Sequence, residues 1–113
     1  MVRTEQFALR VVRLYSALPK ATVAQVLGKQ LLRSGTSVGA HVAEANHSKS
    51  PADFVSKMNG ARQELEEALY WMRLIEQAGI VEPKRLELLQ EEAGEIKAIL
   101  ITMSTRARHR LSE

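Results

Sequence analysis

Few residues of this 113-residue chain have the types and spacing to do chemistry. Glu44 and His47 form a Glu-x-x-His on a stretch of helical period. That spacing puts a carboxylate and an imidazole on one helix face, as in di-metal carboxylate bundles. Such a site needs two copies of the motif and two further glutamates, and this chain has one copy. A single zinc ion held by His41 and His47 fails on direction. Six residues of helix turn through about 600°, which leaves the two rings on faces about 120° apart. The third histidine, His109, lies near the other end of the chain. There is no cysteine, which excludes a disulfide scaffold, thiolate zinc, iron–sulfur ligation and a cysteine nucleophile. Glu64, Glu66 and Glu67 follow Arg62. Grouped carboxylates can serve acid–base catalysis when burial separates their pKa values, but no nucleophile, oxyanion hole or Gly-rich phosphate loop accompanies them. They read as a solvated face ion-paired to Lys57 or Arg33, or as a buried polar network that fixes helix register. Trp71, the single tryptophan, reads as a boundary anchor between helices or as an interface residue. No catalytic residue, cofactor or metal ligand is assigned, and the chain is read as a non-enzyme.

The elements that carry these residues are all helical. One domain over residues 1–113 accommodates the chain, and its length suffices for a core without staples. Six glycines and three prolines are too few for a turn-rich β protein. Three breaks divide the sequence: Pro19 to Thr22, His47 to Pro51, and Gly79 to Pro83. Between them the apolar residues recur at helical spacing. The first stripe is Phe7, Val11, Leu14 and Leu18, and Pro19 ends it. The second begins at Thr22, with Gln25 placed for a capping box, and runs through Leu27, Leu31, Ser34 or Gly35, Val38, Val42 and Ala45. The third has Ser50 as N-cap, Pro51 at the first helical position and Asp53 near the positive end of the dipole. Its stripe is Phe54, Met58, Ala61, Leu65, Ala68, Met72 and Ile75, and Gly79 terminates it. The fourth starts at Pro83 and runs through Leu86, Leu89, Ala93, Ile96, Leu100, Met103 and Ala107. The expected fold is all-α, an up-down-up-down antiparallel four-helix bundle with helices at about 3–18, 22–46, 51–78 and 83–109. The centre of the second helix, Ser34 to Ala40, is small at every position but Val38. Its glycines lower helix propensity by roughly 1 kcal/mol each. Close backbone packing offsets that loss, either within the bundle or between subunits.

Charge is distributed unevenly. Residues 1–33 hold six basic residues against Glu5, residues 34–43 hold no charge, residues 44–95 hold six basic against eleven acidic, and residues 96–113 hold four basic against Glu113. An up-down-up-down topology brings the start of the first helix, the turn after the second and the end of the fourth to one pole. Arg3, His47, Lys49, Arg106, Arg108, His109 and Arg110 would gather there. Cations favour a helix C-terminus in any case; the same cluster is also an electrostatic footprint for a phosphate backbone. Arg3, Lys49, Arg106, Arg108 and Arg110 are the candidate nucleic-acid-binding residues. No base-reading motif is present, so such binding would be salt-sensitive and weakly sequence-specific. No apolar run of 18 or more residues suggests a membrane span, and the N-terminus lacks the features of an export signal. The cytoplasm is the expected compartment.

The stretch from Gln30 to Ala45 (QLLRSGTSVGAHVAEA) resembles the signature of the four-helix-bundle family named for the 23S rRNA intervening-sequence proteins. So do Ser50 to Met58 (SPADFVSKM) and Glu64 to Met72 (ELEEALYWM). The likeness extends over nearly the whole chain and is densest from Arg33 to Trp71. It implies a cytoplasmic bacterial bundle that assembles as a homopentamer. The best-understood relative is the accessory variability protein of diversity-generating retroelements, a basic barrel-shaped pentamer that binds nucleic acid and a partner reverse transcriptase. The implied partners are thus a second copy of the chain, RNA or DNA, and a reverse transcriptase, with no membrane and no cofactor. Arg33, Ser34, Ser37, Glu44, Asp53, Lys57 and Glu67 match the family's recurring polar positions. His41 stands where asparagine is usual, and Ala45 where many members have glycine. Arg33, Ser34, Ser37, Gly39, His41, Glu44, Glu67 and Trp71 form the expected oligomer or helix-packing face. The reading that follows is a self-assembling, non-enzymatic, nucleic-acid-associated or ribonucleoprotein accessory factor. The alternative is an oligomeric protein-interaction scaffold with no nucleic-acid role.

Overall fold

In the computed structural model, which describes residues 2–112, four helices account for nearly all of the chain and no strand occurs among those residues. They are α1 (Val2–Ser16), α2 (Thr22–Asn46), α3 (Pro51–Gln77) and α4 (Pro83–Leu111). Each helix packs on its sequence neighbours, α1 also meets α4, and the backbones of the diagonal pairs do not approach closely. This is an antiparallel up-down-up-down four-helix bundle, 52 Å long and 20 Å across.

The apolar stripes form the core. Phe7, Val11, Leu31, Val38, Met58, Leu65, Met72, Ile75, Leu86, Ile96 and Leu100 are all fully buried. Three positions differ from the periodic expectation. In the first turn of α3, Val55 is buried and Phe54 only packs against the core's edge. Near the end of α4, Ser104 is buried while Met103 is partly covered. Early in α2, Gly28 takes the inward position beside Leu27. In each case the buried residue is one place from the expected one, as happens where a 3.6-residue period drifts against a straight stripe.

The turns are built locally. At the end of α1 the helix stops at Ser16, and the N–H groups of Ala17 and Leu18 reach back to Leu14 and Tyr15 in a tightened last turn. Leu18 stays buried beyond the helix end. The capping box expected at Thr22 does not form. Ala21 occupies the N-cap and has no side-chain acceptor. Gln25 instead bridges the turn: its amide donates to the Pro19 carbonyl at 2.9 Å, and its oxygen accepts from Tyr15 Oη at 2.7 Å. The α3 start is as expected, with Ser50 Oγ accepting from the Asp53 N–H at 3.1 Å and Asp53 Oδ2 accepting from the Lys49 N–H at 3.3 Å. At its end Gly79 takes φ 71°, and the Ile80 and Gly79 N–H groups bond to Ile75 and Glu76, a Schellman closure.

The small centre of α2 lies against α1. A Cβ on Gly35 would fall 2.9 Å from Val11 Cγ2, and one on Gly28 would collide with Leu18 Cδ1. On Gly39 it would sit 3.4 Å from Thr4 Oγ1. The hydroxyls of Ser34, Thr36 and Ser37 bond to carbonyls of their own helix, at 2.9, 2.7 and 2.6 Å for the shortest contacts. That satisfies them without a partner on another helix.

Candidate functional site: a basic end and a paired flank

Two regions hold the residues singled out above. The first is the flank between α2 and α3. Arg33 Nη1 donates to Glu64 Oε2 at 3.1 Å, Nη2 donates to Glu67 Oε1, and Trp71 Nε1 donates to the same Glu67 oxygen at 3.3 Å. The Arg33 hydrogen bond, followed by the Trp71 indole N–H, holds the Glu67 carboxyl below its ordinary range. Reciprocally, Glu67 raises the Arg33 guanidinium further. Of the expected ion pairs, Arg33 meets its glutamates; Lys57 pairs with Glu44 at 3.3 Å, and Glu66 pairs with Lys97 on α4 at 3.3 Å. Ser34 is fully buried, and His41 packs over Gly60 of α3, 2.9 Å from where a Cβ would stand. His41 Nδ1 is buried with no protein partner. Val23, Val26 and Tyr70 are exposed near this flank at 61%, 55% and 46%. The antiparallel register set by Arg33 and Glu67 brings the start of α2 beside the end of α3. Tyr70 meets Trp71 edge-on at 5.0 Å, and Arg73 lies 6.0 Å above the Tyr70 ring.

The second region is the end where α2 stops, α3 begins and α4 finishes. Lys49 and Arg110 line one shallow pocket of about 470 Å³ with Ser48, Ser50, Pro51, Phe54 and Ala107. Arg106 and Arg108 are exposed on the same last turns of α4. None of Lys49, Arg106, Arg108 and Arg110 has an ion-pair partner among the described residues; Arg3, Arg10, Arg33, Lys57 and Lys97 along the sides are paired with carboxylates, and Arg13, Lys20, Lys29, Arg62, Arg73, Lys84 and Arg85 are not. Arg3 does not join the end cluster. It is bound to Glu95 at 2.7 Å, eleven residues and so about 16 Å of helix short of Arg106. The reason is length: α1 has 15 residues against 29 in α4, so α1 begins well below the tip.

Glu44 is committed to Lys57, and His47 is an exposed C-cap residue. Among the described residues no group of three or more His, Cys, Asp or Glu could hold a metal ion. No described helix is long and apolar enough to cross a membrane. Periodicity passed over polar groups placed in the seams. Glu92 pairs with Arg10 between α1 and α4, and the Ser104 hydroxyl donates to Asn59 Oδ1 at 3.3 Å between α3 and α4. Neither pair has a spacing signature, because its members are distant in sequence.

The architecture and the paired flank define a four-helix bundle with an Arg–Glu–Trp cluster between its two central helices. Residues 2–102 match the 23S rRNA-intervening sequence protein family, and the chain belongs to that family. Among solved structures it is similar to a protein of unknown function from the S23 ribosomal protein family of Bacteroides thetaiotaomicron. The two are 36% identical with a TM-score of 0.85, over 90% of this chain and 94% of that one. No curated protein matches the chain.

Proposed function

We propose that this protein is a non-enzymatic accessory factor that self-assembles and binds nucleic acid through its basic end. The observation that carries the reading is the charge gathered at one end. Lys49, Arg106, Arg108 and Arg110 have no carboxylate partner among the described residues. Residues 96–112 contain no acid at all. A cationic tip suits a phosphate backbone, whose binding is dominated by charge and counterion release. Membership of the 23S rRNA-intervening sequence protein family supports a setting close to RNA. A homopentamer in the cytoplasm, acting beside a reverse transcriptase as the retroelement accessory proteins do, is the specific form proposed.

The test is a filter-binding titration of RNA and DNA at rising salt. Binding at low salt that falls linearly in log–log form supports the reading. Absence of binding at the lowest salt refutes it. A second reading, a protein-interaction scaffold, is favoured by the exposed Val23, Val26 and Tyr70. It requires an oligomer whose mass by light scattering is unchanged by nuclease. A monomer at micromolar concentration counts against assembly in both readings.

A further inference from the structure

From the α3–α4 seam we infer a phosphate-binding cleft, formed by Arg62 and Arg108, that seats a backbone phosphate of the bound nucleic acid. Asn59 and Arg62 lie one turn apart on α3, and Ile101, Ser104, Thr105 and Arg108 lie on the facing side of α4. Together they line a small, half-open cleft of about 40 Å³. One water needs roughly 10–15 Å³ by this measure, so the space admits a small oxyanion. Arg62 is half-buried, and its Nε is buried without an acceptor among the described residues. A guanidinium donor held out of solvent and unmatched is costly, and the charge calls for an anion. The described residues do not provide one. The carboxylate one turn along α3, Glu66, is drawn to Lys97, Glu64 is drawn to Arg33, and the side of α4 facing Arg62 carries hydroxyls and a second arginine instead of an acid.

Two guanidiniums flanked by Ser104 and Thr105 hydroxyls and the Asn59 amide match a tetrahedral oxyanion. Arginine is suited to it because its planar fork donates two parallel hydrogen bonds to phosphate. Ser104 already donates to Asn59 Oδ1, which holds that amide at the cleft. Arg108 also belongs to the basic tip, so the cleft extends the tip down the α3–α4 seam. The anion chemistry stands on the cleft's own geometry. Its assignment to a nucleic-acid backbone rests on the function proposed above.

The experiment has two arms on the full chain. In the first, an end-labelled RNA is titrated by fluorescence anisotropy across a salt series. Arg62→Gln and Arg108→Gln should each weaken binding about tenfold and reduce the salt slope by about one. Lys84→Gln, at the opposite end of α4, should change binding less than about twofold. Circular dichroism checks the fold, and Arg62→Lys, which retains the charge but loses the fork, stands in if Arg62→Gln does not fold; it should also weaken binding. If the Arg62 variants bind like wild type while Arg106→Gln/Arg110→Gln does not, the cleft is refuted and the basic-end reading stands. In the second arm, the Arg62 Nε–H resonance is followed by NMR during addition of inorganic phosphate, against chloride at equal ionic strength. A saturable, phosphate-specific shift supports the cleft even if the wild type binds no RNA, in which case only the nucleic-acid reading falls. No shift refutes the cleft.

Discussion

At the scale of single residues, what a position tolerates is decided by what its side chain would meet. Gly60 and Gly94 both interrupt long helices, but their surroundings are opposite. A Cβ on Gly60 would meet the His41 ring at 2.9 Å, whereas one on the exposed Gly94 would meet nothing within 4 Å. Gly94→Ala should therefore stabilise the protein by about 0.5–1 kcal/mol, through helix propensity and lower unfolded-state entropy. Gly60→Ala should lose that gain and more, because His41 must move off α3; about 1–2 kcal/mol of destabilisation is expected. Urea unfolding midpoints measure both, and equal effects at the two sites would show that His41 does not sit as described. Glu67 supplies a pH-dependent counterpart. Its carboxyl is held below its ordinary value by Arg33 and then Trp71, so on acidification the unfolded chain takes up the proton first. The contribution is full above the unfolded value of about 4.3 and is lost as pH falls through the depressed folded value. Wild type should thus exceed Glu67→Gln in stability near neutral pH by no more than about 1 kcal/mol, since both partners are partly exposed. That margin should shrink as pH falls below the ordinary carboxylate value and close once it has passed below the depressed folded value. A margin constant with pH would mean the pair is not the source.

At the scale of elements, the bundle was legible where the signal is local or periodic and obscure where it depends on contacts between distant residues. Ser50 and Pro51 start α3 as their types require, and Gly79 closes it with the expected backbone bonds. Thr22 and Gln25 have the same kind of pattern, yet Ala21 takes the cap because Gln25 is held by Tyr15 and Pro19. A pairing across the turn outcompeted a pattern within the helix. The basic end was legible for Lys49, Arg106, Arg108 and Arg110, since the topology alone brings those segments together. Arg3 was misplaced because pole arithmetic assumes helices of equal length, and α1 is about half of α4. The buried Arg62 Nε had no signal in the sequence: what makes it unusual is the absence of an acid on a facing helix some forty residues away. The small centre of α2 admitted a contact inside the bundle or between subunits, and the close approach of Val11 to Gly35 accounts for that glycine inside one chain. Val11 is β-branched and rigid at χ1, so Gly35→Ala can be relieved only by a shift of α1. A loss of about 1–3 kcal/mol is expected, and Val11→Ala on that background should recover part of it. Strict additivity of the two substitutions in a double-mutant cycle would place the Gly35 requirement elsewhere.

At the scale of the whole molecule, the four seams of the bundle are unequal. The α2–α3 and α3–α4 seams run most of the length, whereas α1 meets α4 over a short span. Two ion pairs cross it, Arg3 with Glu95 and Arg10 with Glu92. Glu92 is only 12% exposed, and one of its oxygens is buried without a partner. Arg10 is its ion-pair partner. The two halves of this pair should not be equivalent. Arg10→Gln strands a largely buried carboxylate and should cost about 1–3 kcal/mol, while Glu92→Gln removes the charge that needed compensation and leaves Arg10, half exposed, to water. The smaller loss belongs to Glu92→Gln, for the same reason that breaking a buried pair from one side is worse than replacing the buried charge. Because α1 is short and α4 is anchored by α3 along its length, the damage should be confined to α1. Hydrogen exchange reads this directly: in Arg10→Gln the amides of residues 5–16 should exchange faster while those in the middle of α3 keep their protection. Uniform acceleration across all four helices would instead mean that α1 unfolds only with the whole bundle, and that the α1–α4 seam is not the weak closure of the ring.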